Sequence, residues 1–137
     1  MRLIKRFLPT IVLLLIVSRM ALSGVIRDGS LSASSNGNDI TIRWQSEDES
    51  GALEYTIERK AGLSGQFVWL TQVPMRGNNL PYVYVDDSAF RTMESVYQYR
   101  IKVSFSNGTS AYYGPITVTH SVSSVRRTWG SIKAMFR

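Results

Sequence analysis

From residue 30 to residue 119 the apolar positions recur every second residue rather than at helical spacing. Ile40, Ile42 and Trp44 alternate with Thr41 and Arg43, and Tyr55 and Ile57 alternate with Glu54, Thr56 and Glu58. Val68 and Leu70 follow in FVWL, and Tyr82–Val85 is a β-rich run closed by Asp86-Asp87. Tyr97, Tyr99, Ile101, Val103 and Phe105 form the longest alternation, and Ile116 and Val118 form the last. Turn residues separate the runs: Ser35–Asn38, Ser46–Gly51, Arg76–Asn79 and Asn107-Gly108. The Asn-Gly dipeptide is a strong hairpin signal because both residues tolerate positive φ. Short strands without an amphipathic helix between them predict an antiparallel sandwich. The expected strands lie at 30–34, 39–45, 53–60, 66–73, 81–87, 96–105 and 111–119. Pro115 has no amide donor, so its strand is expected at an edge or a bulge.

Both ends depart from this pattern. Met1–Arg6 is short and positive, Phe7–Val17 is an apolar run of 11 residues, and Ala21-Leu22-Ser23 offers small residues at −3 and −1 of a cut before Gly24. That is the three-part secretory signal. A membrane anchor needs about 20 apolar residues, and Arg19 ends this stretch earlier. The expected organisation is a signal peptide at 1–23, a β-sandwich at 24–120 and a basic amphipathic tail at 121–137, with the mature chain secreted, extracellular or at the cell surface. In the tail, Val125, Trp129, Ile132 and Phe136 fall within about 60° of one another on a helix. Arg126, Lys133 and Arg137 gather on one flank. Ser124 is placed to cap it, and Gly130 costs about 1 kcal/mol of helix. A helix this short orders only against a surface. The tail residues Val125, Arg126, Trp129, Ile132, Lys133 and Phe136 are therefore expected to bind a partner, an anionic membrane surface or the sandwich itself, the alternative being a frayed tail.

Composition narrows the chemistry. The 137 residues include no cysteine, so disulfides, thiolate catalysis and cysteine-based zinc sites are excluded. His120 is the single histidine, which removes His dyads and multi-histidine metal sites. The net charge of +6 sits at the ends. Residues 1–23 and 121–137 each carry four basic groups and no acid, whereas 24–120 carries 8 basic and 10 acidic residues, a net of −2. A nucleic-acid partner is not expected of a body with that balance. Glu47-Asp48-Glu49 and Asp86-Asp87 lack the spacing of a metal loop and read as solvated turn carboxylates. No cofactor, metal or catalytic residue is expected.

The residues quoted above carry a resemblance. Ile40-Thr-Ile-Arg-Trp44, Leu53-Glu-Tyr55-Thr-Ile57-Glu-Arg59 and Tyr97-Gln-Tyr99-Arg-Ile101-Lys-Val103 resemble a fibronectin type III domain over roughly residues 27–120. The run IERK…FVWL…YVYVDD…YQYRIKV…NG is similar to the type III-like modules of secreted bacterial proteins. The resemblance implies a seven-stranded antiparallel β-sandwich with Trp44 and Tyr55 in the core and Tyr97 as the tyrosine corner. It also implies a non-catalytic module that binds a protein or cell-surface partner or plays a structural part. The Pro-rich first strand usual in the family is missing. Arg-Gly-Asp is absent too, since Arg27-Asp28-Gly29 has the other order, so integrin-type adhesion is not implied.

Two surface readings remain open. If Val68 and Leu70 point inward, Phe67 and Trp69 point outward, and exposed aromatics suit a protein interface or a polysaccharide platform. The alternative is that they cover the sheet edge or face the core. Tyr112 and Tyr113 must lie on opposite faces. Asn107-Gly108-Thr109 matches a glycosylation acceptor, although a hairpin tip also accounts for it.

Overall fold

The computed structural model describes residues 23–89, 96–121 and 132–136. Among these residues there are seven strands: β1 (Ser32–Ser35), β2 (Ile40–Gln45), β3 (Ala52–Ala61), β4 (Val68–Pro74), β5 (Pro81–Asp86), β6 (Val96–Phe105) and β7 (Ser110–Thr119). They form a three-stranded sheet, β1-β2-β5, and a four-stranded sheet, β4-β3-β6-β7, with every pairing antiparallel. A short helical piece covers residues 132–135. The signal-peptide reading, and Val125, Arg126 and Trp129 of the tail, lie outside the described residues.

The alternation works as period-two patterning requires: one set of side chains from each sheet meets in the middle. Ile40, Ile42 and Trp44 of β2 are buried against Tyr55 and Ile57 of β3 and Tyr97, Tyr99, Ile101 and Val103 of β6. Trp44 stacks on Tyr82 at 5.2 Å with its ring plane 8° away, and both meet Tyr55 edge-on. The Tyr97 hydroxyl donates to the Ala89 carbonyl oxygen at 2.7 Å, the bond that the tyrosine corner calls for. At the other flank, Ser35 Oγ and His120 Nδ1 share a hydrogen bond of 2.7 Å, joining β1 to the end of β7.

Two bulges adjust the outer strands. Tyr113 pairs with Ile101 and Ile116 with Tyr99, so β7 carries one extra residue at Gly114-Pro115, a cis peptide. Gly114 has φ +98°, and a Cβ there would stand 3.0 Å from the Tyr99 carbonyl oxygen. Only glycine permits that approach. Pro115 thus sits on an edge strand and at a bulge. On β4, Ile57 faces Thr71 and Glu58 faces Trp69, so Leu70 is the extra residue.

The turn at Asn107-Gly108 departs from the expected two-residue loop. Only Gly108 has positive φ (84°), and Gly108 N donates to the Phe105 carbonyl and Phe105 N to the Thr109 carbonyl. This is a three-residue loop with glycine in the left-handed position. Asn107 instead uses its side-chain oxygen to accept from Thr109 N and Thr109 Oγ1.

The carboxylates correct the sequence reading more strongly. Glu49 is buried, and its carboxylate accepts from the hydroxyls of Tyr55 (2.8 Å) and Tyr82 (2.6 Å) and from Gly77 N (2.7 Å). Asp86 is 1% exposed and accepts from Arg59, from the Tyr99 hydroxyl and from Ser88 N and Oγ. Neither is a solvated turn residue. Each is the hub of a buried network, because a buried carboxylate is tolerated only where donors replace water.

Candidate binding face

The outward set of the four-stranded sheet is built by the same alternation that fills the core. On β3, Glu58 follows the buried Ile57; on β6, Arg100 lies between the buried Tyr99 and Ile101. Glu58 and Arg100 are register partners, and Arg100 Nε donates to Glu58 Oε2 at 2.5 Å. Trp69 of β4 is the partner of Glu58 on its other side. Tyr112 of β7 completes the row, since the Arg100 guanidinium lies 4.4 Å from its ring centroid.

Phe67 sits beneath this row. The Arg100 guanidinium is 4.1 Å from its ring centroid and the Lys60 ammonium 5.0 Å, so the ring supports two cations. Arg100 is held between two aromatic rings and tied to a carboxylate, and its planar head is thereby fixed in one orientation. Lys60 also donates to the Leu63 carbonyl oxygen. Trp69 is 62% exposed and Tyr112 53% exposed, whereas Phe67 is half-buried.

Of the aromatic pair named from the sequence, Trp69 faces solvent and Phe67 is the support of the row. The inward assignment of Val68 that suggested this does not hold, as Val68 is 52% exposed. The bulge gives the inward place to Leu70, and Val68 starts an edge strand with no neighbour on its outer side. Tyr112 and Tyr113 do split between the faces; Tyr113 turns in and its hydroxyl accepts from Val25 N at 2.9 Å. Arg100, Glu58 and Tyr112 were not singled out from the sequence. Their one signal was the outward phase of Arg100 within YQYRIKV, and it does not say which strand lies next door. Trp44, Tyr55 and Tyr97 are buried. In the tail, Ile132, Lys133 and Phe136 are exposed, Phe136 at 87%.

The two buried carboxylates, Glu49 and Asp86, are engaged in the core networks described above. Burial raises the pKa of Asp86, but its bonds from Ser88, Tyr99 and Arg59 outweigh this and hold it below the ordinary carboxylate value. Burial, then the bonds to their carboxylates, push the Tyr99 and Tyr55 hydroxyls well above the usual tyrosine range. These groups are fixed in one protonation state, as structural networks are. A cavity of about 230 Å³ lies between the N-terminal segment and β7, lined by residues that include Ile26, Leu31 and Tyr113. It falls below the roughly 300 Å³ at which small-molecule pockets begin.

No protein-family profile matches the chain. No curated protein matches its sequence. Among solved structures it is similar to a fourth FNIII domain of human origin, determined in solution, with a TM-score of 0.54 and 18% identity over 79% of this chain and 89% of that one. At that identity the likeness speaks for the fold, and with two antiparallel sheets of three and four strands around Trp44, Tyr55 and Tyr97, the chain has a fibronectin type III-like fold.

Proposed function

We propose that this chain is a secreted, non-catalytic module that works by surface contact. Its contact surface is the outward face of the four-stranded sheet, and residues 121–137 attach, sort or assemble it. The observation that carries this reading is the exposed Trp69 in register with the clamped Glu58–Arg100 pair. A large aromatic left in water beside an immobilised guanidinium is the composition that binding hot spots share. The fold supports a binding or structural module, and the leader and basic tail in the sequence support export and attachment.

The test is retention at the cell surface after expression of the full chain. Trp69→Ala, and separately deletion of 121–137, should each release the protein into the medium. The deletion should change the unfolding free energy by less than about 1–2 kcal/mol, because the last strand ends at Thr119. Retention that survives both changes would overturn the reading. A deletion that unfolds the sandwich would make the tail part of the core instead.

A further inference from the structure

The contact face presents an uncommon combination: two open rings at its ends and a paired acid and base between them. Trp69 and Tyr112 stand on β4 and β7, the two edges of the sheet. Three strand spacings, about 14 Å, lie between them across the sheet, and Tyr112, the partner of Lys102, is set two residues along the strands from the Glu58–Arg100 pair. Between them Arg100 Nε is bonded to Glu58 Oε2. The pair is partly open, its side chains 30% and 16% exposed, so the terminal guanidinium nitrogens keep donor capacity and the second carboxylate oxygen keeps acceptor capacity.

We propose that this face binds an oligosaccharide chain laid across the strands, with sugar rings on Trp69 and Tyr112 and hydroxyls hydrogen-bonded to the Glu58–Arg100 pair; this rests on the contact-surface reading above. The chemistry matches group for group. The C–H face of a pyranose is apolar and flat enough to cover an indole or phenol ring. A vicinal diol offers a donor and an acceptor together, which a carboxylate beside a guanidinium answers.

Charge separates this occupant from a polyanion. A polyanion such as a nucleic acid gains its affinity from an excess of cations, yet the outward positions of β3 and β6 set Glu54 and Glu58 against Lys60, Arg100 and Lys102, with Arg100 ion-paired to Glu58. An uncharged ligand loses nothing from that pairing. The pairing also fixes the donors in place before the ligand arrives, which lowers the entropy cost of binding.

The test uses the full chain and a panel of hexaoses: β-1,4-linked glucose, xylose, mannose and N-acetylglucosamine. Binding is read by calorimetry at millimolar sugar. At least one member should bind. Trp69→Ala and Tyr112→Ala should each weaken it by about tenfold or more, the equivalent of about 1.4 kcal/mol. Arg100→Gln should weaken it as well, and Leu63→Ala, an exposed residue that precedes β4, should leave it unchanged. Thermal melting of each variant confirms that it is folded. Binding by none of the four sugars, or binding that Trp69→Ala leaves intact, overturns the proposal. If no sugar binds while Trp69→Ala still abolishes surface retention, the contact face stands and its ligand is not a glycan. If retention is also unaffected, both readings fall.

Discussion

The two faces of the four-stranded sheet use the same chemistry to opposite ends. On the inner face, Tyr99 donates to Asp86, which is ion-paired with Arg59, and all three are buried or nearly so. One residue further along β6, on the outer face, Arg100 is ion-paired with Glu58 and stacked against Phe67 and Tyr112. Each face thus combines an arginine, a carboxylate and aromatic rings. The inner set is closed to water, its carboxylate accepts four hydrogen bonds, and its loss removes part of the fold. The outer set ends in two open rings, so its loss removes a surface. Burial decides which role the same residue types play, since an ion pair in high dielectric contributes little to stability while a buried one is costly to break.

The largest effects should come from the inner face. Asp86→Asn should destabilise the domain by about 3–5 kcal/mol, because Arg59, 13% exposed, is left without its counter-charge. The carboxyl is held below its ordinary value, so its stabilisation is complete above the unfolded pKa of about 3.9 and disappears as pH falls through the lower folded value. Urea denaturation of wild type and variant should therefore diverge near neutrality and converge in acid. A gap that stays constant down to about pH 2 would show that the charge is not its source.

Trp44→Ala should cost a similar 3–5 kcal/mol, the range for deleting a large buried aromatic. It removes the stack on Tyr82 and the edge contact to Tyr55. A near-neutral result in chemical denaturation would mean that the two faces of β2 have been exchanged.

Tyr97→Phe removes one buried hydroxyl and its bond to Ala89, for about 0.5–1.5 kcal/mol. Differential scanning calorimetry resolves a change of that size as a shift of several degrees in a domain of this length. No shift would mean that the corner hydrogen bond contributes nothing.

The smallest stability effect should be on the outer face. Trp69→Ala should alter the unfolding free energy by less than about 0.5 kcal/mol, as surface substitutions usually do. Its effect should appear in retention and binding instead. A loss of more than about 1 kcal/mol in the same denaturation series would place Trp69 in the structural set and collapse the contrast between the faces.

The sequence by itself determined the strands, the inward phase of all but β4 and the residues at the centre of the core. Period-two alternation is a local property, and a strand with one buried face writes that face directly into the chain. The missing donor of Pro115 marked an edge or a bulge, and the resemblance to fibronectin type III domains implied the tyrosine corner at Tyr97. Three things were decided by tertiary structure. Glu49 and Asp86 lie in acidic, turn-like segments, and only the arrival of Tyr55, Tyr82, Tyr99 and Arg59 from other strands makes them buried hubs. The inward place expected for Val68 was displaced by the bulge at Leu70, a register event between two strands that neither strand encodes alone. The binding face depends on lateral neighbours: Trp69, Glu58, Arg100 and Tyr112 are 11, 42 and 12 residues apart along the chain and become adjacent only through the order β4-β3-β6-β7. Alternation tells a residue which way to point; the sheet order tells it what stands beside it.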